Sequence, residues 1–239
     1  MKKNINRYKL FLLILFPITA MLLVISIVLI IKGNYLAVLR QTVNHEPYRY
    51  ENNASYVQRK TQFEVLPSRE TDIVFLGDSI TARFEWQEYY SDLVVSNRGI
   101  DSDVCEGALN RLDTVINQNP DKTFIMLGIN DIRQQIPQDV TIEYYEQIIK
   151  TLKQALPDCE IYIQSVLPVH HSTGIDNSRV QELNQKIKEL ADANSLTYID
   201  LYSILVSADN DFTYTMDGVH PTGEGYQIWL EQINGYVYE

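Results

Sequence analysis

Basic residues are scarce in this 239-residue chain, which has 20 Lys and Arg against 31 Asp and Glu and a formal net charge of -11. The shortage is sharper than the total shows. Residues 1–45 lack acidic residues altogether, yet they hold six of the basic ones: Lys2, Lys3, Arg7, Lys9, Lys32 and Arg40. The rest of the chain therefore carries 14 basic against 31 acidic residues, a net charge of -17. Nucleic-acid binding relies on clustered Lys and Arg that neutralise phosphates, so a body this acidic excludes that class of partner. The same field disfavours strongly anionic substrates, except where the charge near a pocket departs from the average.

Charge of either sign is missing from Leu10 to Ile31, an apolar run of 22 residues interrupted by Pro17, Thr19 and Ser26. As a helix it is long enough for a bilayer core of about 30 Å. Lys2, Lys3, Arg7 and Lys9 precede it and only Lys32 and Arg40 follow closely, so the positive-inside rule keeps the N-terminus cytoplasmic. A clear small-x-small cleavage site is also lacking, and the run is longer than the apolar core of a signal peptide. The expected organisation is a cytoplasmic tail over 1–9, a single-pass membrane anchor over 10–31, and a polar Asn/Tyr-rich linker over 32–55. One extracytoplasmic domain over 56–239 follows. With 45% hydrophobic residues, the chain has enough apolar side chains for a full core.

Beyond the linker, Tyr56, Phe63 and Leu66 suit one face of a short helix that Pro67 ends. Apolar runs then alternate with segments of helical period. Strands are expected at Asp72–Leu76, Leu93–Ser96, Thr123–Leu127, Ile161–Val166 and Thr197–Leu201, rich in Val, Ile, Phe and Tyr. Between them, helical spacing shows in Leu109, Leu112 and Ile116, in Tyr144, Ile148 and Leu152, and in Val180, Leu183 and Ile187. This alternation implies an α/β fold with right-handed crossovers and a parallel sheet covered on both faces. Ligands of such sheets bind beyond the carboxyl ends of the strands, so functional residues are sought there. Cys105 and Cys159 fall at opposite edges of the expected sheet, too far apart for a disulfide, and are expected as free thiols.

Four short stretches meet that positional test. Gly77-Asp78-Ser79 follows the first strand, where a serine on a strand-to-helix turn exposes its hydroxyl and its N–H; the same tripeptide also reads as a plain turn and helix cap. Gly99 follows the second strand, either as a backbone donor to an oxyanion or as a turn glycine. Asn130 follows the third, as a side-chain donor or as a cap. Asp217-Gly218-Val219-His220 lies before the last helix, where a carboxylate can accept from imidazole Nδ1–H and leave Nε2 to take a serine proton. Each is weak alone; together they supply every role that acyl transfer requires.

The four stretches resemble those of the SGNH (GDSL) hydrolase superfamily, through Ser79, Gly99, Asn130 and His220. Asp72–Thr81, Ile161–Pro168, Tyr198–Tyr202 and Gly225–Trp229 are similar to the platelet-activating-factor acetylhydrolase-like branch of bacterial members. The resemblance implies a flavodoxin-like α/β/α sandwich with strand order 2-1-3-4-5 and no metal or organic cofactor. It also implies a triad of Ser79, Asp217 and His220, and an oxyanion hole from the Ser79 N–H, the Gly99 N–H and the Asn130 side chain. Where relatives often carry a second glycine, this chain reads Gly99-Ile100-Asp101-Ser102-Asp103, which puts substrate fit there in question.

The expected function is a membrane-anchored extracytoplasmic serine esterase that removes small acyl groups, acetyl above all, from a carbohydrate or envelope-associated ester. An O-acyltransferase using the same triad is the alternative, and a binding module without activity the third reading. His170 and His171 follow the fourth strand and read either as pocket lining or as a solvated loop, because adjacent histidines need further ligands to hold a metal and none is evident. Asp78 is expected to bond the loops around the serine turn, and Arg98 to serve as a structural ion-pair partner.

Overall fold

The computed structural model describes residues 15–25, 28 and 48–239. The chain divides into two compact units, Met1–Pro47 and Tyr48–Glu239. In the first, residues 15–25 are helical, and among the described residues no helix is long and apolar enough to cross a membrane. The tail expected over 1–9, and much of the anchor expected over 10–31 and of the linker after it, lie outside the described residues.

The second unit begins before the expected end of the linker at residue 55. Tyr48 Oη donates to Ser102 O at 3.0 Å, Tyr50 is buried, and its ring meets Tyr56 edge-on at 4.9 Å. Tyrosines and asparagines read as solvated because their polar atoms need partners; here backbone carbonyls supply them and the rings are free to pack. Asn53 then caps helix α1 (Ala54–Val65) by accepting from Ser55 N. Tyr56 and Phe63 form its buried face, as their spacing predicts, whereas Leu66 stays half exposed beyond its end.

The sheet has five parallel strands, β1 (Ile73–Gly77), β2 (Val95–Gly99), β3 (Lys122–Met126), β4 (Glu160–Gln164) and β5 (Thr197–Ile199), in the order β2-β1-β3-β4-β5. That is the expected order. The bounds of β1, β3 and β4 shift slightly and β5 is shorter than expected, but β2 is displaced most, running through Asn97 and Arg98, which read as the start of a loop. These side chains tolerate the strand because neighbouring carbonyls satisfy them: Asn97 Nδ2 donates to Thr81 O, Ala82 O and Phe84 O, and Arg98 Nε to Thr114 O. Arg98 is structural, as expected, but through carbonyls and the Phe63 ring 4.7 Å away instead of an ion pair.

Helices cover both faces. On one, Phe75, Phe124 and Tyr162 sit opposite one another across β1, β3 and β4 and stack in a row, with centroids 5.1 and 4.7 Å apart. Trp86 stacks on Phe75 at 3.8 Å and meets Trp229 of the C-terminal helix edge-on at 5.1 Å. The indole N–H groups are paired, Trp86 with Thr81 O and Trp229 with Gln164 Oε1. The other face is covered by the helices Cys105–Leu109, Gln138–Ala155 and Asn177–Ala193, as right-handed crossovers on either side of β1 require. Both cysteines are free thiols, as expected.

Arg111 is fully buried, with 0% of its side chain exposed, beneath the carboxyl edge of β1 and β2. Its guanidinium donates to Gly77 O at 3.0 Å, Arg98 O at 2.9 Å and Asp103 Oδ2 at 2.8 Å. Removing one partner of such a pair strands a charge in the core. Arg111→Met is expected to lower unfolding free energy by about 3–5 kcal/mol in a denaturant titration; a change within about 1 kcal/mol would contradict this role.

Candidate active site

The described site lies where strand order reverses, between β1 and β3, at their carboxyl ends. Asp78 ends β1 and caps the short helix Ser79–Ala82, its Oδ1 accepting from Ile80 N at 2.9 Å. Ser79 is thus the first residue of a helix, with an N–H that has no partner within the helix. Its side chain is nearly buried, and the residue is 6% exposed.

His220 comes from 141 residues away, yet its Nε2 lies 2.8 Å from Ser79 Oγ. Its Nδ1 lies 2.6 Å from Asp217 Oδ2. The other carboxylate oxygen accepts from Val219 N at 3.0 Å and His220 N at 2.9 Å, so the loop backbone aims the acid at the ring. Partial burial opposes ionisation of Asp217, but these N–H donors and the imidazole outweigh it and hold the carboxyl well below its ordinary range. Arg83 adds a weaker contact, 3.8 Å from Asp217 and 3.5 Å from Asp101.

Gly218 makes the loop possible, and sequence reasoning passed over it. Its φ of +92° suits glycine, and a Cβ there would lie 2.7 Å from Thr173 Cγ2. The turn is fastened by Gly218 N donating to Thr215 Oγ1 and by His170 N donating to Gly218 O. The helix Gly223–Tyr238 then anchors the whole segment, since Tyr226 Oη donates to Ile80 O at 2.6 Å, one residue from Ser79.

Asn130 sits in the short helix Ile129–Arg133 after β3, its Nδ2 donating to Asp103 O at 3.0 Å and Asp78 Oδ2 at 3.3 Å. Gly99 is the last residue of β2, and its N–H donates to Asn97 Oδ1 at 2.9 Å. Glycine is needed there for close approach, because a Cβ would lie 2.2 Å from Ala82 N. Ser102, within the stretch where relatives often carry a second glycine, takes φ +62°, the left-handed region that favours glycine. Among the described residues, neither Ser79 N nor Ser102 N finds a protein acceptor.

A cleft of about 470 Å³ opens beside His220, walled by Ile132, Arg133, Thr173, Arg179 and Val219. Beneath the site lie three buried carboxyls, Asp78, Asp103 and Asp131. Asp78 bonds the loops, as expected, accepting from Ile80 N and Asn130 Nδ2. Burial pushes Asp78 and Asp131 up to about 7, helped in both by the charge of Asp103 and, for Asp78, by that of Asp131. Burial likewise raises Asp103, and Arg111 limits the rise to about 6.

Profile comparison matches residues 75–228 to the GDSL-like lipase/acylhydrolase family. Among solved structures, a platelet activating factor from Streptococcus pneumonia is 25% identical with a TM-score of 0.71, covering 86% of this chain and 99% of that one. A GDSL-like lipase from Bacteroides thetaiotaomicron is 26% identical with a TM-score of 0.66, covering 80% and 98%. A multidomain esterase of Ruminococcus flavefaciens is 27% identical over 135 residues, 52% of this chain and 17% of that protein. The chain spans well under half the length of the curated relatives it matches.

An acid that titrates higher in the folded than in the unfolded chain holds its proton better when folded. Stability from Asp78, Asp103 and Asp131 is therefore fully present below their unfolded value near 4 and is lost as pH rises through about 6 to 7. Calorimetry is expected to show the melting temperature of the full chain rising from about pH 8 to about pH 5, with a shallower rise in Asp131→Asn. A fall over that interval would contradict the assignment.

Proposed function

This chain belongs to the GDSL-like lipase/acylhydrolase family, and from the geometry of its site we propose that it is a serine ester hydrolase. The contact of 2.8 Å between His220 Nε2 and Ser79 Oγ, with Asp217 behind the ring, carries the reading. His220 takes the Ser79 proton as the hydroxyl oxygen attacks an ester carbonyl carbon. The electron pair of the C=O bond moves onto oxygen, then returns as the C–O bond to the alcohol breaks and His220 protonates that alcohol. Water repeats the sequence on the acyl-serine and releases the acid.

The oxyanion donors in this reading are the Ser79 N–H, the Asn130 amide and the Gly99 N–H, which turns to the oxyanion from Asn97 Oδ1. The 3.3 Å contact from Asn130 to Asp78 is the weaker of its two bonds and the one a substrate oxyanion displaces. Ionised Asp217 stabilises the imidazolium that forms in each step.

The substrate in this reading carries a small acyl group, acetyl above all, on a carbohydrate or envelope-associated ester. The polar cleft wall, with Arg133, Thr173 and Arg179, supports this, since a long acyl chain calls for an apolar trough. Residues 10–31 anchor the protein in the cell membrane with the esterase unit outside; the uncharged run and the basic residues ahead of it support that placement.

With p-nitrophenyl acetate and the full-length chain, Ser79→Ala and His220→Ala are each expected to lower kcat by about 10⁵–10⁶, and Asp217→Ala by about 10⁴. Near-wild-type turnover in Ser79→Ala, or rates that climb with acyl length in an ester panel, would overturn the reading in its first or second part. Release of free acid should dominate when a saccharide acceptor is added; acyl transfer to the acceptor would favour a transferase. The full chain is also expected to sediment with membranes after an alkaline carbonate wash, and its recovery in the supernatant would contradict the anchor.

A further inference from the structure

The turn after β4 carries His170 and His171, and the ligand that sequence reasoning could not find for them comes 40 residues later, as Asp211. One oxygen of Asp211 is held by backbone, accepting from His171 N at 2.8 Å and Phe212 N at 2.9 Å. The other faces both imidazoles, 2.7 Å from His171 Nδ1 and 3.5 Å from His170 Nε2. The rings lie beside one another with centroids 4.0 Å apart. We propose that His170, His171 and Asp211 form a binding site for a divalent ion of the zinc class.

Four-coordinate zinc holds N and O ligands at about 2.0–2.1 Å, which sets neighbouring ligand atoms about 3.3 Å apart. The pair at 3.5 Å already matches. The pair at 2.7 Å opens slightly as the ion replaces the proton between them. That proton moves to His171 Nε2, which water can reach because 78% of the side chain is exposed. His170 Nδ1 lies 2.7 Å from Ser172 Oγ and accepts from Ser172 N at 3.2 Å; to present a bare Nε2 to the ion the ring takes the tautomer with Nδ1–H donated to the Ser172 hydroxyl, giving up the longer backbone bond. Two imidazoles with one carboxylate select a borderline ion over calcium or magnesium, which take oxygen ligands. Three protein ligands leave a fourth position to water.

The ion ties the 170–173 turn to the loop of Asp211. Thr173 and Gly174 wall the cleft beside His220, and His170 N donates to Gly218 O in the loop that carries Asp217 and His220. Metal uptake therefore braces the cleft wall without entering the chemistry, and the site stands whether or not the esterase reading holds.

The test uses the full-length chain in detergent, freed of metal by a chelator, titrated with ZnCl2 by calorimetry and with CoCl2 by visible absorption. One ion per chain is expected, with the intense bands of four-coordinate cobalt. Ser172→Ala is expected to weaken zinc binding by about 10-fold, His171→Ala and Asp211→Asn by more, and Ser79→Ala not at all. His171 is exposed, so its loss leaves the fold intact. Absence of saturable one-to-one uptake, or full affinity in His171→Ala, would overturn the proposal.

Discussion

Arg111 ties together the ends of β1 and β2 at the depth where the chain leaves the sheet. Its guanidinium bonds the carbonyls of Gly77 and Arg98 and the carboxylate of Asp103, and Asp103 O in turn accepts from Asn130. A planar fork with several donors is suited to this; lysine offers one point charge and could not span the same carbonyls. Everything above depends on that buried bond set, because it fixes where the Ser79 turn, the 100–103 turn and the Asn130 helix begin. The cost is a pocket of low polarity in which Asp78 and Asp131 resist ionisation.

The pairing of Ser79 with His220 depends on a second constraint, at the far end of the chain. The C-terminal helix packs Trp229 against Trp86 and bonds Ile80 O through Tyr226, so the loop before it arrives over the serine turn. Within the loop, Gly218 supplies the backbone conformation and Asp217 is aimed by two N–H donors. Hydrogen bonds thus hold the Ser79 turn, and the helix that follows the His220 loop is fastened to that same turn through Tyr226.

The sheet and its order were legible because apolar runs separated by helical spacing survive into the structure as strands with buried faces. Ser79, Asn130 and the Asp217/His220 pair were legible for a related reason, since each follows a strand or precedes a helix where the fold must place function. At Gly99 a second constraint was not legible: a Cβ there would lie 2.2 Å from Ala82 N, and which carbonyl oxygen meets its N–H depends on how Asn97 turns. Tyr48 and Tyr50 looked like linker because a sequence does not show that a carbonyl will meet the Tyr48 hydroxyl or that the Tyr50 ring will pack on Tyr56. Asp211 was invisible as a partner of His170 and His171 for the same reason, as it depends on how two loops fold back on each other.

Whether His220 makes Ser79 nucleophilic is read out by intact-protein mass spectrometry after treatment with a fluorophosphonate, since attack by an activated serine oxygen displaces fluoride and leaves a covalent phosphonyl group. One adduct per chain is expected, on the peptide that contains Ser79, and almost none in His220→Ala. An unlabelled wild-type protein, or equal labelling of the His220→Ala variant, would contradict that activation.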